Sequence, residues 1–110
     1  MFSIHQVEDF RLSGALVKFE GGDEIESSIF ITEFAEGDGP PLHIHPYPEV
    51  FLVESGAVRF TVEEETTLVE AGHLVVVSEE TRHRFEGASD GTNRVVSVHP
   101  SGKVVQKNLN

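Results

Sequence analysis

The 110-residue chain is 38% hydrophobic and 25% charged, which suits one compact domain over residues 1–110 and excludes a disordered polymer. Its 8 Lys and Arg against 19 Asp and Glu leave a net charge of −11, a field that repels phosphate backbones and anionic lipid, so neither nucleic acid nor membrane is an expected partner. There is no cysteine, which removes disulfides, zinc ribbons and thiolate nucleophiles together and leaves histidine and carboxylate for metal or acid–base chemistry.

Met1-Phe2-Ser3-Ile4-His5 has neither the basic nor the apolar stretch of a leader, and no apolar run exceeds four residues, so a soluble, cytoplasmic protein is expected. Beyond it, short apolar segments alternate with glycine, proline and acidic clusters, and no window repeats at the three-and-four spacing of a helix. The class expected is all-β. Strands are expected over Ala15–Phe19, Ser28–Phe34, Glu49–Glu54, Ala57–Val62, Thr66–Val69, Leu74–Val77, His83–Glu86 and Arg94–His99, short pieces spaced as in a sandwich or barrel. Glu20-Gly21-Gly22-Asp23 and Glu36-Gly37-Asp38-Gly39 supply residues free to take positive φ, Ser55-Gly56 reads as a tight hairpin turn, and Glu63-Glu64-Glu65 as a solvated one. Val58, Phe60 and Val62 alternate with Arg59 and Thr61, so Phe60 is expected to point into the core. Leu74-Val75-Val76-Val77 is apolar without alternation, and a second layer, from this chain or another, should cover it. The tail Ser101–Asn110 is either an edge strand or a frayed end.

The chemistry concentrates in Gly37-Asp38-Gly39-Pro40-Pro41-Leu42-His43-Ile44-His45-Pro46-Tyr47-Pro48-Glu49. Side chains two apart on a strand share a face, so His43 and His45 can aim both imidazoles at one point, and Glu49 has the same parity. Pro46 and Pro48 lack amide donors, which favours a bulge or loop over an unbroken strand and can swing the Glu49 carboxylate back toward the histidines. Imidazole nitrogen with one carboxylate oxygen suits manganese, iron, nickel, copper or zinc.

Glycine, five residues, His, one residue, His, three residues, Glu, six residues, Gly is the first motif of the cupin superfamily, and Gly37, His43, His45, Glu49 and Gly56 fit it without a gap. The chain thus resembles a small single-domain cupin. A second cupin motif reads glycine, five residues, Pro, one residue, Gly, two residues, His, three residues, Asn. Gly72 and His83 match it, while Ser78, Glu80 and Gly87 stand where the proline, second glycine and asparagine would be. The resemblance implies a double-stranded β-helix, a jelly-roll barrel of antiparallel strands, with one divalent transition metal ion (Mn, Fe, Ni, Zn or Cu) held inside by His43, His45, Glu49 and His83. It also implies coordination positions open to water or substrate, the mark of a catalytic rather than a structural site.

His5, His73 and His99 sit at a terminus, a turn and a strand end; all three are expected to be solvated and are given no role. Tyr47, between two prolines, reads as packing at the cavity rim, and Phe51, Phe60 and Phe85 as core filling. One of Arg59, Arg82 and Arg84 could meet an anionic substrate group, although alternation turns Arg59 and Arg84 outward. Strands before Gly37 and after Arg94 would leave exposed edges in a lone barrel, so a two-fold homodimer is expected. The expected function is that of a metal-dependent enzyme, a dioxygenase-type oxidoreductase acting on a small, oxygen-rich organic molecule. A metal-dependent isomerase or lyase, and a barrel that binds a metabolite or metal without turnover, are the alternatives. No catalytic acid or base is identified.

Overall fold

The computed structural model describes residues 2–109; Met1 and Asn110, the ends of the expected domain and tail, lie outside the described residues. A 3-10 turn at Val7–Phe10 precedes the strands β1 (Leu16–Glu20), β2 (Ser28–Phe34), β3 (His43–Ile44), β4 (Glu49–Ser55), β5 (Ala57–Val62), β6 (Glu65–Glu70), β7 (His73–Val77), β8 (His83–Gly87), β9 (Asn93–His99) and β10 (Lys107–Asn108). Every expected strand is present to within one residue at either end. β3 has no counterpart among the expected strands and β10 lies in the tail read as an edge strand or a frayed end; both are two residues long, too short for an alternation to show. β10 pairs with β3, Lys107 opposite Ile44 and Asn108 opposite His43, so the tail forms an edge strand.

The strands make two five-stranded sheets, β1-β2-β9-β4-β7 and β10-β3-β8-β5-β6, with all strand pairs antiparallel. Their inner faces follow from period-two alternation. On β4, Glu49, Phe51 and Val53 are buried while Val50 and Glu54 are exposed; on β9, Asn93, Val95, Ser97 and His99 are buried. Chemistry changes along these faces. At one end lie Phe34, Phe51, Val53, Val58, Phe60, Val77, Phe85 and Val95, the apolar core, with Phe51 centred 5.2 Å from Phe60 and 5.5 Å from Phe85. At the other end the same strands contribute Glu49, His83 and His99. Among the described residues no helix is long and apolar enough to cross a membrane.

Two turns place the strands. Gly56, between β4 and β5, has φ +76°, and a Cβ there would fall 2.3 Å from Asn93 Oδ1. That oxygen accepts the Ala57 amide proton while the Asn93 amide donates to Phe34 O and Ser89 O, so the fully buried asparagine joins the hairpin to β2. Glu80, which occupies the glycine position of the second motif, itself adopts φ 54°, and its amide donates to His45 O at 2.8 Å. The left-handed turn is kept without glycine.

The outer face of the first sheet departs from the half-solvated pattern of an antiparallel sheet. Register brings Phe19, Ile29, Val98, Val50 and Val76 into one row across all five strands, and Val17, Ile31, Val96, Leu52 and Leu74 into the next. Leu74 and Val76 are 67% and 69% exposed; the layer expected over β7 is not supplied by the described residues of this chain.

Phe51, on the first sheet, is fully buried and packs against Phe60 and Phe85 of the second. Phe51→Ala is expected to cost about 3–5 kcal/mol, the range for emptying a packed aromatic site. Chemical denaturation checks this, and a loss below about 1 kcal/mol would contradict the placement of the core.

Candidate metal centre

His43 lies on β3 and His45 just beyond its end, where Pro46 stops the strand. Glu49 opens β4, and His83 opens β8 directly opposite His43. Their exposures are 4%, 2%, 4% and 1%. One potential ligand atom from each of the four lies within 4.8 Å of the others. The structure therefore brings together all four residues singled out in the sequence, in a buried group that could hold a metal ion.

Backbone carbonyls decide which imidazole nitrogen faces the centre. His43 Nδ1 is 2.7 Å from Pro41 O, His45 Nδ1 2.7 Å from Val105 O, and His83 Nδ1 2.8 Å from Thr81 O. A carbonyl oxygen only accepts, so each Nδ1 carries a hydrogen and, in the neutral ring, each Nε2 is left with a bare lone pair. His45 Nε2 and His83 Nε2 lie 3.2 and 3.4 Å from Glu49 Oε1, and all three atoms are buried without a hydrogen-bond partner. Orphaned buried acceptors converging on one point are costly unless a cation lies among them. The donor set fits a divalent transition metal.

The electrostatics favour positive charge at the same place. Burial opposes ionisation of Glu49, but the protons that His45, His83 and His99 would donate to it when no cation is present outweigh burial and hold the carboxyl far below its ordinary range. Burial also disfavours a charged His45, yet the Glu49 contact and the Val105 carbonyl raise its pKa above the usual value. His43, farther from the carboxylate, is pushed down to about 4, first by burial and then by neighbouring imidazoles, against the pull of Pro41 O. It is neutral at physiological pH, as a metal ligand must be.

Beside the four residues is a cavity of about 710 Å³. Phe30, Phe34 and Phe85 give it apolar walls, Thr32, Ser97 and Gln106 add polar groups, Glu33 and Asp38 add carboxylates, and among the described residues no Lys or Arg lines it. Arg59 and Arg82 are exposed and face Glu86 and Glu63 respectively, and Arg84 is exposed as well; none of the three reaches the cavity. His5 and His73 are exposed, as expected.

His99 overturns its expectation. It is 1% exposed, with Nε2 2.9 Å from Glu49 Oε2. Tyr47 is also more than rim packing: its hydroxyl is 2.9 Å from His99 Nδ1, and its ring stacks on His45 at 5.1 Å. The signal for His99 was the alternation of β9, in which His99 shares the parity of buried Val95 and Ser97; position beside Pro100 at the strand end obscured it.

The family model described as the cupin domain matches residues 30–99. No curated protein matches the sequence. Among solved structures, a recombinant oxalate oxidase in complex with glycolate aligns with a TM-score of 0.75 and 19% identity over 86% of this chain and 54% of that one. A formate complex of Lactobacillus farciminis oxalate decarboxylase aligns at 0.79 and 18%, over 93% of this chain and 34% of that one. An uncharacterized conserved protein with a double-stranded β-helix domain from Klebsiella pneumoniae aligns at 0.77 and 18%, over 100% and 99%. This chain spans about half the length of the oxalate oxidase. At these identities the likeness is one of fold.

Nitrogen-15 NMR of the metal-free protein, above the pH at which its histidines titrate, is expected to show the Nδ1–H tautomer for His43, His45 and His83. The Nε2–H tautomer at any two of them would contradict the convergence of lone pairs.

Proposed function

This chain belongs to the cupin family, and on that premise we propose that it is a metal-dependent enzyme of the dioxygenase type, with His43, His45, Glu49 and His83 as ligands to one divalent transition metal ion. The observation that carries this reading is the set of orphaned acceptors, His45 Nε2, His83 Nε2 and Glu49 Oε1, buried beside a cavity of substrate size. Such an ion, when bound, polarises a chelating oxygen substrate and gives access to oxygen chemistry.

The chain's own residues set the kind of substrate. Three neutral imidazoles and one carboxylate leave a divalent centre with a net charge near plus one. A singly ionised or neutral chelator, such as an enediol, catechol, flavonol or diketone, leaves the buried site uncharged or positive. A dianion such as oxalate would leave it negative, and no basic side chain lines the cavity to offset that. Phe30, Phe34 and Phe85 exclude water and offer flat surfaces to an unsaturated body, while Thr32, Ser97 and Gln106 are placed to orient its polar groups. The fold of the oxalate oxidase and oxalate decarboxylase is shared, but the charge pattern favours a different substrate.

We propose further that two copies associate through the outer face of the first sheet, where two apolar rows cross all five strands. The two rows themselves carry no charged residue, and Glu33, Arg94 and Glu54 further along the same face pair with one another, so copies that each carry a net charge of −11 meet least repulsion there.

Three measurements test these readings. Elemental analysis of native-purified protein is expected to give about one metal ion per chain, with His43→Ala and Glu49→Gln each lowering affinity at least about tenfold; unchanged metal content in both variants would mean adventitious binding. The metal-loaded protein is expected to consume oxygen with a catechol, flavonol, thiol or diketone and not with oxalate. Turnover without oxygen uptake would replace the dioxygenase by an isomerase or lyase, and binding without turnover by a metabolite-binding barrel. Light scattering is expected to give a dimer at micromolar concentration that Val76→Asp shifts toward monomer; a monomeric wild type would contradict the interface.

A further inference from the structure

His99 is the one buried histidine that the proposed ligand set leaves unused, and its surroundings fix what it does. Nε2 is 2.9 Å from Glu49 Oε2. Although this contact falls outside regular hydrogen-bond geometry, two lone pairs at that distance would repel, so the proton sits on Nε2. Nδ1 is then an acceptor, and Tyr47 Oη, 2.9 Å away, donates to it. The Tyr47 oxygen in turn accepts from the Val105 amide at 3.2 Å. Every proton in the series has one direction: Val105 N–H to Tyr47 O, Tyr47 O–H to His99 Nδ1, His99 Nε2–H to Glu49 Oε2. This tautomer is the reverse of that imposed on His43, His45 and His83, and a ring nitrogen bearing hydrogen toward the carboxylate is a donor, not a ligand.

We infer that His99 is a positioning residue for the metal-site carboxylate, occupying Glu49 Oε2 so that only Oε1 faces the three imidazoles. Tyr47 sets the tautomer of His99. The chain after β9 holds both, because Val105 supplies an amide proton to Tyr47 and a carbonyl to His45 Nδ1 at 2.7 Å. That segment is itself tied down by Leu109 N to Leu42 O at 2.7 Å, Val104 N to Glu20 Oε2 at 2.8 Å, and the β10–β3 pairing. One stretch of backbone thus orients one proposed ligand directly and another through two side chains. A carboxylate held in this way would offer an ion Oε1 alone. The inference rests on the metal-centre reading above.

The test is calorimetric titration of the metal-free chain with Mn(II) and Zn(II), together with nitrogen-15 tautomer measurements. His99→Phe keeps a ring against Phe30, 4.5 Å away, but removes the donor, and is expected to weaken metal binding about 10–100-fold. His99→Gln, which restores an amide donor near the Nε2 position, is expected to recover most of that loss. Tyr47→Phe is expected to leave the chain folded, weaken binding by a smaller factor, and turn the single Nε2–H form of His99 into a tautomer mixture, an effect that loss of packing alone would not produce. Tight binding by the wild type with unchanged affinity in His99→Phe would overturn the positioning role and leave the metal centre standing. An Nδ1–H tautomer for His99 in the wild type would overturn it as well. Absence of metal uptake by the wild type would overturn both readings together.

Discussion

A carboxylate shut inside a barrel among imidazoles is the constraint on which the rest of the site depends. An ionised group as buried as Glu49 is destabilised by several kcal/mol unless positive charge or well-directed protons lie beside it. With the other imidazoles neutral, the chain supplies those protons on one side only: His99 approaches Oε2, whereas the nitrogens nearest Oε1, those of His45 and His83, belong to rings whose own protons are drawn to the carbonyls of Val105 and Thr81. The asymmetry leaves a place for a cation, and the backbone rather than the side chains creates it.

The fold makes this possible by grading its interior. A barrel of this size has one lumen, and each inner face has room for only three or four residues. β4, β8 and β9 carry phenylalanine and valine at one end and glutamate or histidine at the other. The apolar end closes the structure and holds the strands in register; His83, 5.9 Å from Phe51, marks the transition between the two. A polar cluster needs such a rigid base, because a ligand set misplaced by an ångström loses its fit to the ion. The two extra aromatic groups near the centre, Tyr47 and Phe30, pack against His45 and His99 from outside the cluster and limit their rotation.

Much of this was legible in the sequence because the informative residues obey short-range rules. Period-two alternation located the long strands, Pro46 and Pro48 marked the end of β3, and the His-x-His-x-x-x-Glu spacing with a distant His83 marked the four residues that meet. What was not legible depends on contacts between segments far apart in the chain. His99 stands 50 residues from Glu49, and its place beside Pro100 at a strand end masked the parity it shares with buried Val95 and Ser97. The role of the tail is decided by a carbonyl of Val105 reaching His45, a backbone group that carries no mark in the sequence. Leu74 and Val76 read as covered because their composition is that of a buried strand, but no described residue of this chain covers them.

The central claim is that the four buried side chains share one ion. Diffraction from metal-loaded crystals at the absorption edges of manganese, iron and zinc tests it most directly. A single anomalous peak bonded to the Nε2 atoms of His43, His45 and His83 and to one oxygen of Glu49 is the predicted result. A peak held by other residues, or His83 turned away from the other three in the loaded protein, would contradict the account.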